Sequence, residues 1–241
     1  MKLNFKEYGE GKPLVILHGL FGSLDNWFSL SKAFADKHHV YLVDQRNHGQ
    51  SPHSDTHTYE EMADDLLELF QEHGLKDAVL MGHSMGGKTA MQFALTHPEL
   101  ISKLIVADIA PKKYPAHHQY ILKALSEVDF SVQKSRKDIE AALTPYIKEQ
   151  GVIQFLMKNV YRKDKNELSY RFNLSVLLEK YHEVVTTFST REQFTKPTLF
   201  LKGSNSNYIT PEDIILINNN FTDAKIEEIS NSGHWLHAEN P

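Results

Sequence analysis

The segment Gly82-His83-Ser84-Met85-Gly86 follows the apolar run Ala78-Val79-Leu80-Met81 directly and leads at once into a helical pattern from Lys88 to Leu95. A strand that reverses straight into a helix leaves no room for side chains two positions either side of the apex, so glycine is needed at both. The apical Ser84 is forced into a left-handed backbone conformation. Its hydroxyl then stands at the carboxyl edge of a sheet, and the next N–H opens a helix N-terminus, where negative charge is stabilised. The pattern calls for a tight strand–turn–helix unit and marks Ser84 as a candidate nucleophile.

Four other runs resemble the one before Ser84: Leu14 to Leu17, Val40 to Val43, Leu104 to Ala107 and Thr198 to Leu201. Short, nearly continuous apolar stretches of this kind fit strands buried on both faces, as in a parallel sheet. Between them lie helical patterns. Thr58-Tyr59-Glu60-Glu61 is a capping box, Met62, Leu66, Leu69 and Phe70 form one stripe, and Gly74 supplies a stop. Strands alternating with helices predict an α/β fold with a mostly parallel sheet. Lys225 to Ile229 reads as a further, more exposed strand.

The alternation breaks between Pro111 and Lys196. This stretch is helical in pattern over Tyr120–Val128, Lys137–Tyr146, Val152–Val160 and Leu174–Tyr181, with no comparable buried strand and with Tyr114, Phe155 and Phe172 looking exposed. About 85 residues is far more than the dozen or so that a crossover needs. The expected organisation is a core of residues 1–110 and 197–241, with a helical cap inserted over 111–196.

A serine nucleophile needs a base, the base needs an orienting acid, and the developing oxyanion needs donors. His234 is the candidate base: it lies in a late loop, after the last strand, with Gly233 beside it to let the loop approach the turn. His237 is its nearby rival, placed at what reads as the start of a helix. The loop after Leu201, Gly203 to Tyr208, holds no carboxylate, and Glu212 and Asp213 sit behind Pro211 at a helix start, where acids are ordinary dipole partners. Asp108, ending the strand Leu104–Ala107 at the sheet's carboxyl edge, is therefore the candidate acid. Ser206 or Asn205 is in reach of a supporting hydrogen bond.

His18-Gly19-Leu20 follows the first buried strand, so the N–H of Leu20 is expected to join that of Met85 in holding an oxyanion, with His18 structural. The polar stretch Asp44-Gln45-Arg46-Asn47-His48-Gly49-Gln50-Ser51 reads as a hydrogen-bonded turn packing beneath that loop, with Arg46 paired to a carboxylate. Phe21, Met85 and Trp235 are expected to line an apolar substrate pocket between core and cap.

Composition removes other classes. The net charge is −5 and no Lys/Arg cluster follows a phosphate backbone, so nucleic acid is not an expected partner. No apolar stretch approaches the roughly 20 residues of a membrane span, and the start Met1 to Glu7 has no secretory apolar region. Cysteine is absent, which excludes disulfides, thiolate metal sites and a Cys nucleophile and fits a cytoplasmic location. The adjacent pairs His38-His39 and His117-His118 point apart, and no metal is expected.

With these residues in place the chain resembles the α/β-hydrolase superfamily over its whole length, and more narrowly the bacterial YbfF-type esterases and their eukaryotic abhydrolase-domain relatives. The closer likeness is carried by His18 to Asn26, Asp44 to Ser51, Gly82 to Lys88, Asp108 to Pro111, Gly151 to Leu156, Tyr170 to Asn173 and Gly233 to Glu239. The resemblance implies hydrolysis of short-chain acyl esters or thioesters without a cofactor, by a serine carboxylesterase using an acyl-enzyme on Ser84. It implies the acid at Asp108 and an accessory serine at Ser206. An acyltransferase or pathway thioesterase with the same triad, or a ligand receptor on the same scaffold, are the alternatives. Members of the group are expected to continue past Ala238-Glu239-Asn240-Pro241 into a helix packed on the sheet, whose loss would bare an apolar face.

Overall fold

A computed structural model of the chain describes residues 1–165, 167–188 and 192–241. Nine strands are present among them: β1 (Phe5–Tyr8), β2 (Lys12–Leu17), β3 (His38–Val43), β4 (Ala78–His83), β5 (Ile101–Ala107), β6 (Val160–Asp164), β7 (Glu167–Tyr170), β8 (Thr198–Gly203) and β9 (Ala224–Ile229). Seven form one sheet in the order β1-β3-β2-β4-β5-β8-β9. All its pairings are parallel except β1 with β3, which is antiparallel.

The sheet is buried on both faces, which is why its inner strands read as continuous apolar runs rather than alternations. On β2, Val15 and Leu17 join the larger cluster, whereas Leu14 and Ile16 join a smaller one with Trp27, Val40, Leu42 and Met81. The helices α1 (Phe28–Phe34), α2 (Tyr59–Glu72) and α3 (Met85–Thr96) supply the covering layers nearest the site. Helix α2 opens as its capping box requires: the Thr58 hydroxyl accepts from the Glu61 N–H, and Glu61 accepts from the Thr58 N–H. It buries Met62, Leu66, Leu69 and Phe70 and stops at Gly74, whose φ is +60°. The outer strand β9 alternates between half-buried and exposed positions, as expected for a strand with no neighbour on one side.

Between Pro111 and Lys196 lie α4 (Gln119–Ser126), α5 (Arg136–Leu143), α6 (Gln150–Met157), α7 (Leu174–Glu179) and α8 (Tyr181–Val185); α9 (Asp213–Asn220) and α10 (Leu236–Glu239) belong to the final part. Of the span expected as a cap, Asn166 and Ser189 to Arg191 lie outside the described residues. Two expectations for this region are corrected. It is not helical throughout: the helix expected over Val152–Val160 ends at Met157, and Val160 starts the antiparallel pair β6–β7. The β-branched Val160 and the alternation that follows it favour the strand. The aromatics are not exposed either. Tyr114 and Phe172 are buried, and Phe155 is partly buried against the core. Phe172 stacks on Tyr170 and meets Phe21, so an aromatic cluster joins this region to the sheet domain.

Polar ties hold the same junction. Asn159 Nδ2 donates to the Phe21 carbonyl at 2.6 Å, and the Asn173 N–H donates to the Asn47 carbonyl at 2.9 Å. The Tyr59 hydroxyl donates to the Val184 carbonyl at 2.6 Å.

Candidate active site

Ser84 links β4 to α3 with φ +53° and ψ −118°, the left-handed strain that the tight turn demands. The crowding is severe. A Cβ on Gly82 would lie 2.1 Å from the Gly86 carbonyl oxygen, and one on Gly86 would lie 2.5 Å from the His18 carbonyl oxygen. The Ser84 N–H still bonds to the Ala107 carbonyl at 3.0 Å, so the apex hangs from the sheet ladder itself. One strand over, Asp108 repeats the device: φ is +52°, and its N–H bonds to the Leu201 carbonyl at 2.8 Å.

His234 reaches this pair from the loop between β9 and α10. Its Nε2 lies 2.9 Å from Ser84 Oγ and its Nδ1 lies 2.8 Å from Asp108 Oδ2. A carboxylate can only accept, so Nδ1 carries the proton and Nε2 faces the hydroxyl as an acceptor. Asp108 is fully buried. It also accepts from the Gly203 N–H at 3.0 Å and from the Ser206 hydroxyl. Between Ser206 and Asn205, it is the former that touches the carboxylate. It is Asp108, not Glu212 or Asp213, that bonds to the imidazole; Asp213 instead pairs with Lys112 at 2.6 Å and accepts from the Thr210 N–H.

The glycine expected to admit the His234 loop is corrected. A Cβ on Gly233 would meet only the tip of Glu239, at 3.3 Å, whereas one on Gly203 would lie 2.3 Å from the Gly233 carbonyl oxygen. Gly203 is the position that the close approach constrains.

Two aromatic groups that the sequence reading passed over hold the imidazole. Tyr208 stacks on His234 with ring centres 3.7 Å apart and 14° between planes, and its hydroxyl is 3.2 Å from His118 Nε2. His83, the second residue of the turn, donates from Nε2 to the His234 carbonyl at 2.7 Å. Burial keeps the His83 imidazole far below its ordinary pKa, so it is neutral and its tautomer is fixed by that carbonyl. Its place inside the motif was the available signal; Tyr208 had none beyond its loop.

The loop after β2 closes with the Gly22 N–H on the Gly19 carbonyl at 2.9 Å. The Phe21 N–H is occupied by His48 Nε2 at 3.2 Å, and His18 Nε2 accepts from the Gln45 N–H at 3.0 Å. Both histidines are buried and structural, and burial pushes their pKa values down. Beneath them Arg46 makes a two-point bond to Asp65 at 2.6 and 3.0 Å, the carboxylate pairing expected for that loop. His53 and His57 stand four apart but precede α2 rather than lying on it, and among the described residues no cluster of His, Asp or Glu is placed to hold a metal ion.

Above Ser84 is a cavity of about 300 Å³, lined among others by Phe21, Phe155, Tyr208, His234 and Trp235. Met85, expected in the same lining, instead borders an adjoining space of about 30 Å³ that shares Ser84, Leu20 and Tyr208 with the larger cavity. His118 and His237 line the larger cavity. Burial lowers each of them to a pKa of about 4, so neither is a cation near neutrality. His237 stacks on Trp27 rather than approaching the serine.

The sequence matches the alpha/beta hydrolase fold family over residues 12–241. The chain belongs to that family. This hydrolase is 39% identical to a mouse sn-1-specific diacylglycerol lipase, ABHD11, over 95% of its own length and 76% of the lipase. It is 35% identical to the Escherichia coli esterase YbfF over 100% of its length and 95% of that protein. A solved marine microorganism esterase superposes with a TM-score of 0.97 at 45% identity, covering 100% of this chain and 95% of the other. With esterases and lipases as its relatives and a serine at the apex of its elbow, the protein is a serine hydrolase. No described helix is long and apolar enough to cross a membrane.

Proposed function

We propose that this hydrolase is a carboxylesterase for short acyl groups, with Ser84 as nucleophile, His234 as general base and acid, and Asp108 as the group that orients and charges-compensates the imidazole. The observation that carries the reading is the unbroken chain from Ser84 Oγ through His234 to a buried Asp108, at 2.9 and 2.8 Å. Ser84 attacks the acyl carbonyl as its proton passes to His234 Nε2. The oxyanion is held by the N–H groups of Met85, at the first position of α3, and Leu20, whose neighbour Phe21 has its own N–H committed to His48. His234 then protonates the departing alcohol, leaving the acid esterified to Ser84, and finally activates water to release it. Ser206 helps to fix Asp108. Residues 111–196 act as a cap that roofs the cavity, and Phe21 and Trp235 contact substrate.

A cavity of about 300 Å³ sits at the lower limit of ligand sites, about 300–1,000 Å³, which favours small esters over long lipid chains. Turnover of p-nitrophenyl esters from acetate to dodecanoate tests this. The expected result is an initial burst of p-nitrophenol close to one equivalent of enzyme, with kcat/KM falling at least about tenfold beyond acyl chains of roughly eight carbons. Undiminished turnover of dodecanoate would overturn the chain-length assignment.

A further inference from the structure

Lys88 has no task in the reaction described so far, yet it is among the most deeply buried side chains of the protein, at 1% exposure. It is the fourth residue of α3, and its N–H bonds to the Ser84 carbonyl at 3.1 Å, so it lies one turn from the nucleophilic elbow. Its ammonium donates to the Thr186 carbonyl and lies 5.0 and 5.5 Å from the ring centres of Tyr114 and Tyr59. Among the described residues no carboxylate pairs with it. A buried ammonium without a counter-ion is costly, and burial lowers this one to a pKa of about 7. Buried ionisable groups with shifted pKa values cluster at functional sites, and an arriving anion would supply the counter-charge that this one lacks.

The geometry fixes where that anion would sit. Lys88 borders the space of about 30 Å³ that also touches Ser84, Met85 and Leu20. His234 borders the larger cavity and not this one. Since His234 must hand its proton to the leaving oxygen, the alcohol belongs on the His234 side, and the acyl chain turns toward Lys88. One water needs about 10–15 Å³ of such space, so about 30 Å³ accommodates two or three heavy atoms, the size of a carboxylate.

We propose that the space beside Lys88 is an acyl subsite for a terminal carboxylate, so that the preferred substrates are monoesters of short dicarboxylic acids. The proposal rests on Ser84 and His234 acting as assigned above. The balance is that of simple hydrolysis. The Ser84 Oγ–acyl bond forms as the ester C–O bond breaks, the Ser84 proton reaches the alcohol through His234, and water then yields the dicarboxylate.

The test measures kcat/KM for monomethyl malonate, succinate and glutarate against neutral isosteres in which an isopropyl group replaces the carboxylate, such as methyl 4-methylpentanoate for the succinate. At least one pair is expected to favour the charged ester by about tenfold or more. In Lys88→Met, which keeps length and removes charge, that ratio should fall at least about tenfold, and Lys88→Arg should restore part of it; circular dichroism and melting verify folding of each variant. If the neutral isosteres are cleaved as well or better at every chain length, the subsite is wrong while the esterase reading stands. If the charged preference survives in a folded Lys88→Met, Lys88 does not provide it. If neither ester set is turned over, it is the esterase reading that fails.

Discussion

Asp108 follows the last residue of β5, at the carboxyl edge of the sheet. In the structure it is a fully buried carboxylate accepting from Gly203 N–H, Ser206 hydroxyl and His234 Nδ1. An Asp108→Asn enzyme can no longer hold the imidazole in the working tautomer, and kcat is expected to drop about 10²–10⁴-fold. Ser206→Ala removes one supporting donor and leaves the acid in place, so its loss should be nearer tenfold. Steady-state kinetics of the two variants check the order; equal losses would mean that Ser206 is as central as the acid. That Ser84 and His234 would meet was legible because each lies in a local motif with its own backbone logic. Tyr208, stacked on His234, was not, because nothing in a loop's sequence declares which ring will lie over another from a distant element.

At the scale of elements, the turn and its helix can be probed by one substitution made twice. Gly86 and Gly151 each occupy the second position of a helix, α3 and α6. A Cβ on Gly86 would lie 2.5 and 2.6 Å from the carbonyl oxygens of His18 and Leu17, whereas one on Gly151 meets nothing within 4 Å. Gly86→Ala is therefore expected to destabilise by at least about 2 kcal/mol through overpacking against backbone. Gly151→Ala should stabilise by up to about 1 kcal/mol, from helix propensity and a less flexible unfolded chain. Urea unfolding midpoints of both variants decide it. The inner strands could be read from their apolar runs because both faces of the sheet are covered. The strands β1, β6 and β7 could not: each has at most four or five residues, with exposed positions and charges, and is defined by its pairing partner rather than by its own pattern.

For the molecule as a whole, the histidines set its response to acid. His57, His118 and His237 are held neutral in the fold, with burial lowering each from about 6.5 to about 4. The unfolded chain takes up protons at these sites below pH 6.5 while the native state does not. Stability is thus fully present above about pH 6.5 and is lost progressively as pH falls toward 4. Melting temperatures from pH 8 to 4 should be level at first and then decline steeply below about 6.5; a flat profile down to pH 4 would contradict the burial of these imidazoles. Since His118 and His237 both line the cavity, the same titration is expected to loosen the site before the sheet gives way. The overall architecture was readable from the alternation of strands and helices, but the docking of residues 111–196 was not. It depends on side-chain ties such as Asn159 to the Phe21 carbonyl, which join positions 138 residues apart.

One serine, placed by the turn between β4 and α3 and activated by His234, is proposed to carry the acyl group. Reaction with a fluorophosphonate followed by peptide mass spectrometry reads this directly. A single adduct on the peptide containing Ser84 is expected, absent in Ser84→Ala and formed at least about a hundredfold more slowly in His234→Ala. An adduct on another residue, or a Ser84→Ala enzyme that keeps its esterase activity, would contradict the assignment of Ser84.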